Sequence, residues 1–202
     1  MKPIKIAFLA FAVVVLVYSG LDPKDRFTWV LEAVPAIIGL PVLVYFDRKR
    51  GVTSLLYALV CLHAVILCIG GKYTYAEVPM GFWVRDALGL ARNHYDRLGH
   101  FFQGFEPAIL AREVLLRKKV LGRGFWLSLF CFCICLAFSA SYEFIEWWTA
   151  LLTGEAAEAF LGTQGDPWDT QWDMFMAAVG AVAALLIFSR EHDRELAKLG
   201  RA

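Results

Sequence analysis

Apolar runs of close to 20 residues recur six times along this chain, at about residues 4–21, 28–46, 52–70, 98–116, 125–152 and 172–188. Each has the length an α-helix needs, at 1.5 Å per residue, to cross a hydrocarbon core roughly 30 Å thick. No water reaches that core, so the backbone must satisfy its own hydrogen bonds, and only helices and closed barrels do so. Runs this long and unbroken lack the alternation of barrel strands. The expected fold is therefore all-α. It is a polytopic membrane protein with a bundle of about six transmembrane helices, in a single integral domain over residues 1–202. The fourth run is the least apolar, because it carries Glu106 and Arg112.

Composition agrees. Hydrophobic residues make up 59% of the 202, against the 45–50% usual for soluble domains. The charged residues gather in short clusters between the runs. The net charge of +1 is divided among loops, which leaves no basic face for a nucleic-acid backbone. Cys61, Cys68, Cys131, Cys133 and Cys135 all lie inside apolar runs. An odd count in that setting argues against a disulfide framework. Cys131, Cys133 and Cys135 are two apart, so they point about 200° from one to the next on a helix and cannot share a metal; they read as small packing residues. Lys2 and Lys5 before the first run imitate a signal peptide, but no small-residue cleavage site follows, so a retained first span is expected.

Lys and Arg set the expected orientation. Lys2, Lys5, Arg48, Lys49, Arg50, Arg117, Lys118, Lys119, Arg123, Arg190, Arg194, Lys198 and Arg201 fall on one side. Lys24, Arg26, Lys72, Arg85, Arg92 and Arg97 fall on the other. The positive-inside rule then puts both termini in the cytoplasm. The loop after the fifth run has no Lys or Arg and carries Glu155, Glu158, Asp166 and Asp169, as an exported loop would. The long loop at residues 71–97 is expected outside. Within it, residues 82–88 read either as a short interfacial helix anchored by Trp83 or as an ordinary folded loop.

That topology brings distant residues to one depth. Glu32 lies in the first turns of the second span, which runs inward. Asp96 and His100, spaced i, i+4 on one face, open the fourth. Glu143 is about 27 Å along the fifth helix from Phe125, and Glu146 is one turn further on. Asp169 and Asp173 open the sixth. These groups converge near the outer surface, and ionisable groups within spans normally face the protein interior or a water-filled cavity. Asp96 and Asp169 also have the ordinary explanation of a helix-start carboxylate, and Glu32 that of an interfacial residue. Asp, Glu and His one turn apart on neighbouring helices can build a divalent-metal site. Without metal, the same groups suit general acid–base work. The catalytic candidates are His100, Glu143 and Asp96; the metal candidates are His100, Glu143, Glu146, Asp169 and Asp173. His63 and Glu106 fall at matching mid-membrane depth, which permits a buried pair, although spans three and four need not turn those faces together.

The strings GGKYTYAEVP (70–79), RNHYDRLGHFFQGF (92–105), SYEFIEWW (141–148) and GTQGDPWDTQWDMF (162–175) resemble the YjdF family of uncharacterised bacterial inner membrane proteins over essentially the whole chain. That resemblance implies a multi-pass inner-membrane location and no assigned activity. A weaker likeness is to VanZ-like membrane proteins. It lies in Asp96 and His100, in Glu143 or Glu146, and in Asp169 or Asp173 ahead of the small residues 177–181. The long loop at 71–97 and the Trp-rich segment after Gly165 depart from that pattern. The likeness implies a cell-envelope role by analogy only.

Three readings stay open. One is an enzyme acting on a lipid-linked or cell-envelope substrate, with a divalent metal ion as the cofactor its donors suit. Another is a non-catalytic structural or lipid- or partner-binding protein whose polar cluster fixes helix packing. The third is a transporter, against which the scarcity of ionisable groups in the inner halves of spans one, three and five counts.

Overall fold

The computed structural model describes residues 2–154 and 158–200; Glu155 of the acidic loop lies outside them. The described residues form eight helices and no strand. In chain order these are α1 (Pro3–Gly20), α2 (Arg26–Arg50), α3 (Ser54–Tyr73), α4 (Pro79–Leu88), α5 (Tyr95–Arg117), α6 (Phe125–Thr153), α7 (Glu158–Leu161) and α8 (Asp169–Lys198). Local chemistry sets several of the ends. Asp25 caps α2 by accepting from the Thr28 amide at 2.7 Å, and Thr53 caps α3 through Leu56. Pro3 and Pro79 sit in the first turns of α1 and α4, where a missing N–H costs nothing. Gly89, with φ +64°, closes α4 in the left-handed conformation that glycine adopts freely.

Helices α1, α2, α3, α6 and α8 are long and apolar enough to cross a membrane. The fourth run, α5, is 23 residues long. Its polar residues keep it out of that group, and they are buried: Asp96, His100, Gln103, Glu106, Arg112 and Glu113. Two boundaries differ from expectation. The sixth apolar run spans 172–188, yet α8 begins at Asp169 and continues to Lys198. Past the apolar stretch it turns amphipathic, and His192 and Leu196, both 0% exposed, pack back against the bundle. Residues 82–88 do form a helix, begun earlier at Pro79, on which Trp83 is 71% exposed.

The bundle is built around α5, which packs against α8, α6 and α3, while α3 in turn supports α1 and α2. The α5–α8 seam is the tightest. A Cβ on Gly104 would overlap the Ala177 carbonyl, and one on Gly180 would overlap the Phe101 carbonyl. Ala108, Ala177, Ala181 and Ala184 continue the seam at 0% exposure. In lipid no hydrophobic force draws helices together, so small residues that let backbones touch carry the association. Burial elsewhere is inverted relative to a soluble protein: Phe11, Ile38, Phe138, Trp147, Leu151 and Leu186 are exposed while carboxylates lie inside. Along α6 the buried residues Leu127, Cys131, Cys135, Ser139, Glu143 and Glu146 form one stripe. Cys133, half a turn away, is exposed. Pro107 lies inside α5 and has no N–H to give the Gln103 carbonyl one turn back.

The helices alternate in direction, so one end of the bundle collects the starts of α2, α5 and α8 and the other collects their finishes. The second, basic end is closed by a polar network. Lys5 meets Asp47 and the Val52 carbonyl, both at 2.6 Å. Glu113 accepts from Thr53 Oγ1 at 2.6 Å and from Arg117 at 2.7 Å. His192 accepts from Arg112 through Nδ1 at 2.8 Å and donates through Nε2 to Glu113 at 3.2 Å. Arginine can only donate, which assigns that tautomer. Asp193 receives both Arg112 and Arg123 at 2.9 Å.

Gly104→Ala and Gly180→Ala should each destabilise the protein by about 2 kcal/mol, because a methyl has no room at the seam. Gly122→Ala, which meets nothing within 4 Å, should be neutral. Thermal unfolding in detergent micelles measures both.

Candidate functional site

The acidic end collects side chains from α2, α5, α6 and α8. From α5, Asp96 and His100 share a face, and Gln103 extends it one turn deeper. His100 is 5% exposed and lies at the centre. Its Nδ1 is 3.1 Å from Gln103 Oε1 and 3.8 Å from Glu143 Oε1 on α6. Its Nε2 is 3.5 Å from Asp96 Oδ1 and 3.9 Å from Asp173 Oδ2 on α8. Glu146 sits one turn beyond Glu143 on the same buried stripe. Tyr142 packs edge-on to the His100 ring and donates to Glu32 Oε2 at 3.1 Å. The four carboxylates Asp96, Glu143, Glu146 and Asp173 are at most 8% exposed, and Glu32 is 4% exposed.

The charges in this cluster do not balance. Five carboxyl groups surround a single imidazole, so with every carboxyl ionised the cluster would be negative even with His100 protonated. Burying net charge is costly unless protons or a cation balance it. The nearby arginines do not serve that purpose, because Arg92 binds Asp169 at 2.8 Å and Arg97 binds Asp166 at 2.8 Å. Two buried oxygens, Glu143 Oε1 and Asp173 Oδ1, have no hydrogen-bond partner among the described residues. Two triads, Asp96/His100/Asp173 and His100/Glu143/Glu146, each offer three donor atoms within 4.8 Å of one another. His100 belongs to both. A mixed oxygen and imidazole set of this kind suits a borderline divalent ion such as zinc or manganese.

Of the residues singled out from the sequence, Asp96, His100, Glu143, Glu146 and Asp173 come together, with Glu32 at the edge. Asp169 does not join them. It is held by Arg92 in a cap over the site, where Arg92 also donates to the Thr163 carbonyl at 2.8 Å and Gln164 pairs with the backbone of Asn93 at 2.8 and 3.2 Å. His94, at the start of this cap, has its pKa lowered by burial and by the neighbouring Arg97 and Arg92. His63 Nδ1 lies 3.2 Å from Glu106 Oε2, so the mid-bundle pair does form, 0.7 Å shorter than the His100–Asp173 approach.

Sequence reasoning missed Gln103, Tyr142 and Tyr75, and the clamping role of Arg92 and Arg97. Gln103 had a signal, since it continues the 96–100 stripe at i+3. Tyr75 had none that is local. Thr74 and Tyr75 adopt left-handed φ values of 59° and 48°, which folds the Tyr75 ring into a slot left by two glycines. A Cβ on Gly70 or Gly99 would strike it.

The helical bundle, its outward-facing apolar surface and its buried polar centre define an all-helical polytopic membrane protein. The family model described as "Predicted membrane protein (DUF2238)" matches residues 4–194, and the chain belongs to that family. It is 51% identical over 187 residues to the inner membrane protein YjdF of Escherichia coli (strain K12), covering 92% of this chain and 89% of that relative. No solved structure matches it significantly. The VanZ likeness finds no support among these matches.

Arg92→Ala should open the cap and leave Asp169 buried without its cation, a loss of about 2 kcal/mol. Amide hydrogen exchange of residues 162–166 should quicken by roughly thirtyfold, while exchange at the Gly104–Ala177 seam should not change.

Proposed function

We propose that this chain is a six-span inner-membrane protein of one domain with both termini in the cytoplasm. Its Asp96, His100, Glu143, Glu146 and Asp173 cluster holds a divalent cation beneath the external surface. There it acts on a lipid-linked or cell-envelope substrate. The observation that carries this reading is the pair of buried oxygens without a hydrogen bond among the described residues, Glu143 Oε1 and Asp173 Oδ1, beside His100 in a cluster where carboxyl groups outnumber cations. The inner-membrane relative supports the location. The Lys and Arg asymmetry supports the orientation, and the central packing of α5 supports a sixth crossing.

In this reading His100 would ligate through Nε2 beside the carboxylates of Asp96 and Asp173, and Glu143 would serve as ligand and proton acceptor. A bound divalent ion supplies Lewis acidity and a low-pKa water. Gln103 holds Nδ1 from below, and Tyr142 with Glu32 walls the site on the α2 side. Burial of the set excludes bulk water and strengthens every electrostatic contact within it.

A second reading, a polar plug that fixes helix packing, has one observation in its favour: none of the five residues is more than 8% exposed. The two readings separate in one experiment. Protein purified from cells supplied with zinc and manganese should carry a divalent cation by elemental analysis. His100→Ala and Glu143→Gln should each weaken retention by at least about a hundredfold while leaving the helical circular dichroism intact. Anomalous scattering should place the ion beside His100. Metal-free wild type, with Glu143→Gln losing only stability, would reject the cation site and leave the plug.

A further inference from the structure

A second feature lies at the opposite end of the molecule and owes nothing to the acidic cluster. Helices α1 and α2 lean on α3 more than on each other, and between them opens a groove of about 680 Å³. Its walls are apolar, with Val13 from α1 and Leu40 and Pro41 from α2, and its mouth carries Tyr45, Arg48 and Lys49. Leu40 to Lys49 spans about 13 Å along the helix, so one end of the groove lies in the apolar zone and the other among the basic residues that finish α2. The cations at the mouth have no carboxylate partner among the described residues. Arg48 has neither a hydrogen-bond nor an ion-pair partner among the described residues. Lys49 touches only Tyr45, donating to its hydroxyl at 2.9 Å and lying 5.3 Å from its ring centre. The neighbouring acid, Asp47, is occupied by Lys5. Arg112, Arg117 and Arg123, by contrast, are each paired with a carboxylate.

We propose that this groove is a binding site for one anionic glycerophospholipid, with an acyl chain lying between α1 and α2 and the phosphate held by Arg48 and Lys49. Charge complementarity selects the occupant. A zwitterionic lipid would bring its own cation to two that are already there, and a water-soluble anion would leave the apolar walls uncovered. Basic pockets between helices at the cytoplasmic surface are suited to anionic headgroups, each cation contributing on the order of a fivefold gain in affinity. Tyr45 steadies the Lys49 ammonium at the rim by its hydroxyl and ring face together. The site needs only a membrane and a headgroup layer, so it stands whether or not the acidic cluster binds a cation.

The test uses the full chain in nanodiscs made from equal parts phosphatidylglycerol and phosphatidylcholine, released into mild detergent and examined by native mass spectrometry. Wild type should keep one phosphatidylglycerol molecule and lose phosphatidylcholine. The Arg48→Gln/Lys49→Gln double variant should retain it about thirtyfold more weakly. Val13→Trp, which narrows the apolar part of the groove and leaves both cations in place, should also weaken retention. Unchanged thermal unfolding in both variants shows that the fold is intact. Equal retention of the two lipids by wild type, or undiminished retention by either variant, overturns the proposal.

Discussion

Backbone contact between α5 and α8 is the interaction on which the rest of the molecule depends. Where Gly104 and Gly180 lack side chains, the carbonyls of Ala177 and Phe101 take the space. Close approach of two helices fixes both their separation and their rotation, because a turn of either would drive a side chain into the other's backbone. That rotation decides what the remaining residues meet. Asp173, one turn before Ala177, comes to face His100, one turn before Gly104. Toward the opposite end the same registry delivers His192 to Arg112 and Glu113. Both polar clusters are thus consequences of one small-residue seam.

The two clusters differ in how complete they are. At the basic end no buried side-chain atom of Lys5, Arg112, Glu113 or His192 lacks a partner among the described residues. Glu113 alone gathers Thr53, Arg117 and His192, and such a network specifies one packing and tolerates little change. At the acidic end, carboxylates outnumber cations around His100, Glu143 Oε1 and Asp173 Oδ1 lack hydrogen bonds among the described residues, and the nearby Arg92 and Arg97 are engaged with the cap. A structural cluster gains from satisfying its own members, whereas a binding cluster keeps valences for something else. The contrast within one chain, between helices of the same bundle, is what distinguishes a latch from a site.

Much of this was legible in the amino-acid order because a bilayer simplifies the problem. Span length is tied to hydrocarbon thickness, so the apolar runs gave their helices to within a few residues at most ends. Alternation of direction then assigned a depth to each carboxylate, and depth sufficed to gather Asp96, His100, Glu143 and Asp173. Rotation about each helix axis was not legible, because it is set by contacts between residues far apart in the chain. Depth was also legible only coarsely: Asp169 and Asp173 share one face of α8, and the roughly 6 Å of rise between them hands Asp169 to Arg92 and Asp173 to His100. His192 was invisible for a different reason. It lies beyond the apolar part of α8, where hydropathy reads as a tail and only tertiary packing reveals a buried ring. The Tyr75 slot required two left-handed residues and two distant glycines to coincide, and no local pattern announces that.

Pro107 introduces a mechanical asymmetry into α5. The Gln103 carbonyl lacks its helical donor, and this break in the ladder falls between the His100 turn above and the Glu106–His63 pair below. A helix with one missing rung bends there more readily than anywhere else along its length. The seam crosses this break, with Phe101 against Gly180 and Gly104 against Ala177, so α8 splints α5 where its own ladder is weakest. Gln103 stands at that point with its side chain on the imidazole, so the setting of His100 against the carboxylates of α6 and α8 depends on the splint rather than on α5 alone.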